Sequence, residues 1–258
     1  MTTQHKGASL FYTDQGTGNV IVLLHGFLEN STMWASFLPQ LTMNHRVICI
    51  DLLGHGQTEC LGYIHTMDDM AQAVHSIIAL LQLTDIIMIG HSMGGYVGCA
   101  FAKAYPEKTN KLCLLNSTPD TDDNERRIIR RRANRMAQTQ YEQLVRMSFL
   151  NLFDPKATKA NQNEINIALA QALKTPLQGY MAANEGMALR VNNSAFWNKT
   201  LVHTGMILGS TDWIINANDH SEAYGNLTNY FKLIEGGHMT HISNRAETLE
   251  AIQEFIAQ

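Results

Sequence analysis

Apolar runs alternate with stretches of helical spacing through the first 117 residues. Residues 20–24 (Val-Ile-Val-Leu-Leu), 46–50, 86–89 and 111–115 are almost unbroken hydrophobic segments. Strands covered on both faces read this way. Between them, Met33, Phe37, Leu38 and Leu41 keep helical spacing, with Ser31 or Thr32 as the expected cap. Met70, Val74, Ile77, Ile78 and Leu81 mark the inward face of a helix over 67–83, and 96–102 predict a helix ending near Pro106. Residues 9–13 supply an opening strand, turned by Gln15-Gly16-Thr17-Gly18. The alternation predicts an α/β fold: a mostly parallel central sheet with helices on both faces.

The pattern changes from 118 to 198, where no strand is legible. Helical stretches fall near 122–138, 140–152, 161–174 and 176–190, punctuated by Asp154-Pro155 and Thr175-Pro176. Alternation returns with a strand at 203–209, a short helix at 216–225 and a strand at 230–234. A last helix from 245 carries Leu249, Ile252 and Phe255 on one face. The expected division is a core of 1–117 and 199–258, with 118–198 as an all-helical insertion packed on one end of the sheet.

Composition narrows the class. With 258 residues, 45% of them hydrophobic, one large domain with an inserted subdomain can be buried. A net charge of −4 gives no footprint for nucleic acid. The N-terminus lacks the apolar segment of a secretory signal, and no apolar run approaches a membrane span. A cytoplasmic protein without membrane partners is expected, as a monomer or small homo-oligomer. Cys49, Cys60, Cys99 and Cys113 form no Cys-x-x-Cys pair and read as reduced core residues. No metal-ligand spacing is present, so no metal or cofactor is expected, and the partner is a small molecule.

The chemistry concentrates at Gly90-His91-Ser92-Met93-Gly94-Gly95, at a strand-to-helix junction. A serine between glycines at so sharp a turn is held in strained backbone geometry, with its hydroxyl clear of the sheet at the positive end of a helix. A serine hydroxyl needs an imidazole base, and the base needs an orienting carboxylate. Ligands of parallel sheets lie beyond the carboxyl ends of strands. Asp212 follows the strand ending at Gly209, and His238 follows the strand ending at Ile234. His241, three residues on, is the alternative base; the flanking Gly236-Gly237 favours His238. His25 and His55 read as loop-shaping hydrogen-bonders, and Asp51 as a tie across its own glycine-rich turn.

Four motifs, each at a strand end, carry a resemblance that covers nearly the whole chain. They are His25-Gly26-Phe27, Asp51-x-x-Gly54-His55-Gly56, Gly90-His91-Ser92-Met93-Gly94-Gly95 and Gly237-His238. Together with the order Ser92, Asp212, His238, the chain resembles the α/β-hydrolases with an inserted helical cap. The resemblance implies Ser92 as nucleophile, His238 as general acid/base and Asp212 as orienting acid, with Asp120 the alternative acid because some relatives place it after the preceding strand. It implies an oxyanion hole made by the backbone N–H groups of Phe27 and Met93, and a cap that sets substrate choice. The chain departs from the family pattern at Asn216, where a proline is usual, and after His238, where Glu then Pro often follow. The implied activity is cleavage of a carboxylic ester, or a related thioester or lactone, with an acyl substrate of modest size. Serine at position 92 argues against haloalkane and epoxide hydrolysis, which use Asp there.

Two other classes stay open. One is a lyase resembling the menaquinone-pathway cyclohexadiene-carboxylate synthase, although Gly94-Gly95-Tyr96 stands where that subfamily carries an arginine. The other is a slow-turnover ligand-binding relative. Within the insertion, the arginine-rich stretch 125–135 is either a patch for an acidic substrate or a solvated face balanced by Asp120, Asp122, Asp123 and Glu125. Met136, Met147, Phe149, Met181, Met187 and Trp197 either line an apolar pocket or form the insertion's own core.

Overall fold

A computed structural model describes residues 1–153 and 159–258. Eight strands form one sheet: β1 (Thr2–His5), β2 (Ala8–Gln15), β3 (Asn19–Leu24), β4 (His45–Ile50), β5 (Ile86–His91), β6 (Thr109–Leu115), β7 (His203–Gly209) and β8 (Tyr230–Ile234). Their spatial order is β1-β2-β4-β3-β5-β6-β7-β8. The pairs β1–β2 and β2–β4 are antiparallel, and every later pair is parallel. The chain runs from β3 to β4 on one side, then returns across β3 to lay down β5. A crevice therefore opens at the carboxyl ends of β3 and β5, where the direction of winding reverses.

The apolar runs are strands because both faces are covered. Alternate residues of one strand go to opposite cores. Val22, Leu24, Ile48, Ile50, Met88, Leu112 and Leu114 pack with Met70, Val74, Ile77, Val97 and Phe101. These last belong to α2 (Met67–Leu80) and α3 (Met93–Ala104). Ile21, Leu23, Val47, Cys49, Ile89 and Cys113 pack on the other face with Trp34, Phe37, Ile252 and Phe255. Thr66 starts α2 with a reciprocal capping pair to Asp69. Cys49, Cys99 and Cys113 are buried free thiols, and Cys60 is partly exposed.

Three local expectations are corrected. The strand β1 was not legible, because only one of its faces touches protein. The segment after β3 is a 3-10 turn over Ser31–Trp34 followed by a short helix, α1 (Leu38–Leu41), in place of one helix. Its cap is Asn30, whose side chain accepts from the Thr32 amide.

Between β6 and β7 the described residues are helical or irregular, as expected. Asn124–Leu150 is a long helix broken at Gln140 (φ −138°, ψ 44°), where the sequence pattern divides 122–138 from 140–152. Gln162–Ala172 and Leu177–Ala188 follow, with a further short helix at Ser194–Trp197 that was not expected. Asp154-Pro155 lies outside the described residues. This region has its own apolar cluster, including Leu144, Val145, Phe149, Ile165 and Tyr180, which reaches the sheet end through Leu28 and Met239. Among the described residues no helix is long and apolar enough to cross a membrane.

Candidate active site

The site begins with the turn after β5. Ser92 has φ 48° and ψ −114°, outside the regions open to most residues, and it directly precedes α3. Such backbone strain costs of order 1–3 kcal/mol and is held by surrounding packing. Added Cβ atoms at Gly90 and Gly94 would lie 2.3 Å from the Gly94 carbonyl oxygen and 2.5 Å from the Leu24 carbonyl oxygen, respectively. Only glycine allows α3 to start so close to the ends of β3 and β5.

The loops after β7 and β8 bring the expected partners to this turn. His238 Nε2 lies 3.0 Å from Ser92 Oγ, and His238 Nδ1 lies 2.8 Å from Asp212 Oδ2. With an N–H at Nδ1 donating to the carboxylate, Nε2 is left to accept the serine proton. Asp212 Oδ1 accepts the amides of Ile214 and Ile215 at 2.8 and 3.1 Å. Burial opposes the Asp212 charge, but the His238 imidazole and the donors on both oxygens outweigh it and hold its carboxyl below the usual range. Asn216 takes the place of the usual proline and caps the next helix, Ala217–Tyr224, by accepting from the Asn218 and Asp219 amides.

The alternatives are engaged elsewhere. Asp120 accepts from Tyr224 Oη at 2.6 Å and lies 3.7 Å from His220 Nε2. His241 is buried, with Nε2 3.0 Å from Glu29 Oε1. His25 accepts the Leu52 amide at Nε2 and pairs with the Gly26 carbonyl at Nδ1. Nδ1 of His55 lies 3.1 Å from the Leu53 carbonyl. Asp51 accepts the Ser31 and Gln57 amides at 2.7 and 2.8 Å, so it ties the glycine-rich turn both to itself and to the loop after β3.

Phe27 lies within the loop after β3, and Met93 is the first residue of α3. Among the described residues neither amide has a protein acceptor, whereas the adjacent Gly26 and Ser92 amides donate to Glu29 Oε2 and the Leu115 carbonyl. Two amides, one from a residue on the cavity wall with Ser92 and one from the residue that follows Ser92, are thus left over.

A cavity of about 520 Å³ opens over Ser92 and His238. Phe27, Tyr180 and Met187 contribute apolar wall, and Arg126 and Arg130 contribute guanidinium groups. Of the six expected apolar lining residues, Met187 alone is on this wall. Met136 and Met147 are exposed, Phe149 is in the insertion's cluster, and Trp197 is in the sheet core. The acids of the arginine stretch are not all solvated: buried Asp122 has Arg130 Nε at 2.5 Å and Arg190 Nη1 at 2.7 Å. Trp213, beside Asp212, is 65% exposed at the cavity wall, and its Nε1 donates to the Asn151 carbonyl at 3.0 Å.

Two features escaped sequence reasoning. Asn116, after β6, donates to Asp212 Oδ2 at 3.1 Å. Glu29, buried after β3, has its Oε2 2.7 Å from His91 Nδ1. Glu29, His91 and His241 are the residues among those described whose donor atoms converge enough to consider a metal. Ligands at 2.0–2.1 Å from a tetrahedral zinc stand about 3.3 Å apart. The 2.7 Å contact is instead that of a charge-assisted hydrogen bond.

A family model for the alpha/beta hydrolase fold matches residues 19–245. The chain belongs to that family. A thermophilic esterase from Thermogutta terrifontis, solved with malate bound, superposes with a TM-score of 0.92 at 27% identity, covering 99% of this chain and 96% of that one. A non-heme haloperoxidase from Rhodococcus erythropolis is 38% identical over 119 residues, 45% of this chain and 43% of that protein. A putative 2-succinyl-6-hydroxy-2,4-cyclohexadiene-1-carboxylate synthase from Bacillus subtilis is 33% identical over 121 residues, 45% of this chain and 44% of that protein. The chain thus spans less than half the length of these curated relatives.

Proposed function

We propose that the protein is a serine hydrolase that cleaves a carboxylic ester, or a related thioester or lactone, through an acyl-enzyme. The observation that carries this reading is the continuous relay Ser92 Oγ, His238 Nε2, His238 Nδ1, Asp212 Oδ2, with steps of 3.0 and 2.8 Å. Ser92 Oγ forms a bond to the acyl carbon while its proton passes to His238 Nε2. The carbonyl π-electrons move to oxygen, and the oxyanion is held by the N–H groups of Phe27 and Met93. Each such donor contributes about 3–4 kcal/mol of barrier lowering. The bond to the leaving alkoxide breaks, and His238 protonates it. Water, deprotonated by His238, then attacks the acyl-enzyme and releases the acid and Ser92. Asp212 keeps the imidazole in the required tautomer throughout.

In this reading residues 118–198 act as a cap whose side chains choose the acyl group, over a core of 1–117 and 199–258. One observation favours a second reading. Arg126 and Arg130 face the cavity, and a curated relative is a putative carboxylate synthase. A lyase would use the same Ser92–His238 pair to abstract a proton from a carboxylate-bearing substrate.

Aryl esters of increasing acyl length, thioesters and lactones, assayed on wild type and Ser92→Ala, test the proposal. Esters are expected to turn over, with a loss of about 10⁴-fold or more in Ser92→Ala. Unchanged activity in Ser92→Ala removes the mechanism. Turnover only of a dicarboxylate by elimination selects the lyase.

A further inference from the structure

Glu29 sits one turn beyond β3 and is almost wholly buried, where an unpaired carboxylate would be very costly. Its Oε2 accepts the Gly26 amide at 2.9 Å and faces His91 Nδ1 at 2.7 Å. The other nitrogen of His91, Nε2, lies 3.1 Å from the His238 carbonyl oxygen. An ionised carboxylate and a carbonyl both only accept. His91 must therefore donate from both ring nitrogens, which only the imidazolium can do.

These three bonds join three separate pieces of chain. Gly26 precedes Phe27, His91 precedes Ser92, and the carbonyl belongs to His238 itself. We propose that the Glu29–His91 ion pair is a positioning device for the hydrolysis, resting on the Ser92–His238–Asp212 reading above. It fastens the oxyanion loop, the serine turn and the histidine loop to one another. It also has an electrostatic role. A bare carboxylate beside the Gly26 amide would repel negative charge developing on the acyl oxygen, and the imidazolium cancels it.

The surroundings agree with this charge state. Burial disfavours both ions, yet His91 and His241 hold the Glu29 carboxyl well below its usual range. Burial likewise opposes the charge on His91, but Glu29 draws its pKa upward, with help from the His238 carbonyl and Asp212. The other titratable groups facing His91 are His241 and His238, with ring centroids 4.7 and 5.3 Å away, and His25. Burial pushes the pKa of both His241 and His25 downward, against the upward pull of the Glu29 carboxylate.

Glu29→Gln keeps the shape and removes the charge. In this variant kcat is expected to fall roughly 10- to 100-fold with KM little changed. The alkaline limb of the kcat profile, set by His91 deprotonation, is expected to move to lower pH. Imidazole ¹⁵N–¹H spectra at pH 7 are expected to show two ring N–H signals for His91 in wild type and one in Glu29→Gln. Wild-type kcat and an unmoved pH profile in Glu29→Gln overturn the proposal, provided Ser92→Ala is inactive in parallel. Activity retained by Ser92→Ala overturns the hydrolase reading instead. Should Glu29→Gln not fold, the wild-type spectrum alone decides: a single His91 N–H, or stoichiometric zinc in the purified protein, overturns the ion pair.

Discussion

The Asn116 side-chain amide reaches Asp212 Oδ2 at 3.1 Å and the Gly237 carbonyl at 3.2 Å, so one residue after β6 braces the acid and the loop of the base together. Its Oδ1 accepts from Thr240 Oγ1 at 2.7 Å, and its backbone has φ 46°. Asparagine suits both demands, since it tolerates the left-handed region better than most residues.

Asn116→Ala leaves three buried polar groups short of a partner. A loss of about 1–3 kcal/mol of stability and roughly 10-fold in kcat is expected. Asn116→Gly relieves the backbone but not the missing amide. It should recover part of the stability in denaturant titrations and none of the kcat.

Asp212 links stability to pH. Its folded pKa is depressed, so its contribution is present above the unfolded value near 3.8 and is lost as pH falls through the folded value. Urea unfolding from pH 7 down to pH 3 should therefore lose less stability in Asp212→Asn than in wild type. An equal or steeper acid loss in the variant contradicts this.

Helix Leu177–Ala188 meets the core backbone to backbone. A Cβ on Gly186 would stand 1.7 Å from the His65 carbonyl oxygen, and His65 donates its own amide to the Ala182 carbonyl. Alanine gains about 1 kcal/mol of helix propensity. The clash with fixed backbone outweighs it, so Gly186→Ala should lower Tm by roughly 4 °C or more. A raised Tm by calorimetry would show that the helix is free to move away.

Asp122 is one carboxylate shared by three guanidinium groups, with Arg130 and Arg190 at 2.5 and 2.7 Å and Arg126 at 3.8 Å. Asp122→Asn takes the carboxylate from Arg130, left with Asn184 Oδ1, and from Arg190, left with the Asp120 and Met187 carbonyls and stacked 4.0 Å over the Tyr96 ring. Breaking a buried pair on one side costs about 3 kcal/mol. The partial exposure of Arg130 places the expected loss no higher than that. Chemical denaturation at neutral pH measures it.

The central strands were legible because burial on both faces leaves an uninterrupted apolar run, and glycine flanks marked Ser92 and His238. Other features depend on who sits beside whom. β1 alternates polar residues on an open edge, so it carries no apolar signal. Periodicity placed Met136 and Met147 on a helix but not on a face, and both look to solvent. Glu29, His91 and His241 come from the loop after β3, the last residue of β5 and a one-turn helix after β8, and their meeting depends on β5 lying next to β3 and on that helix folding back over both. No spacing within the chain encodes that meeting.

Trp213 has a consequence for how the molecule can be watched. The chain has three tryptophans, and Trp34 and Trp197 are sealed in the sheet cores. Emission sensitive to water therefore comes from one indole, which stands beside the acid and is tethered to the last turn of the long helix. Any occupant entering over Ser92, or any shift of that helix, changes the surroundings of a single fluorophore. The protein carries its own optical gauge of the doorway, with no label attached.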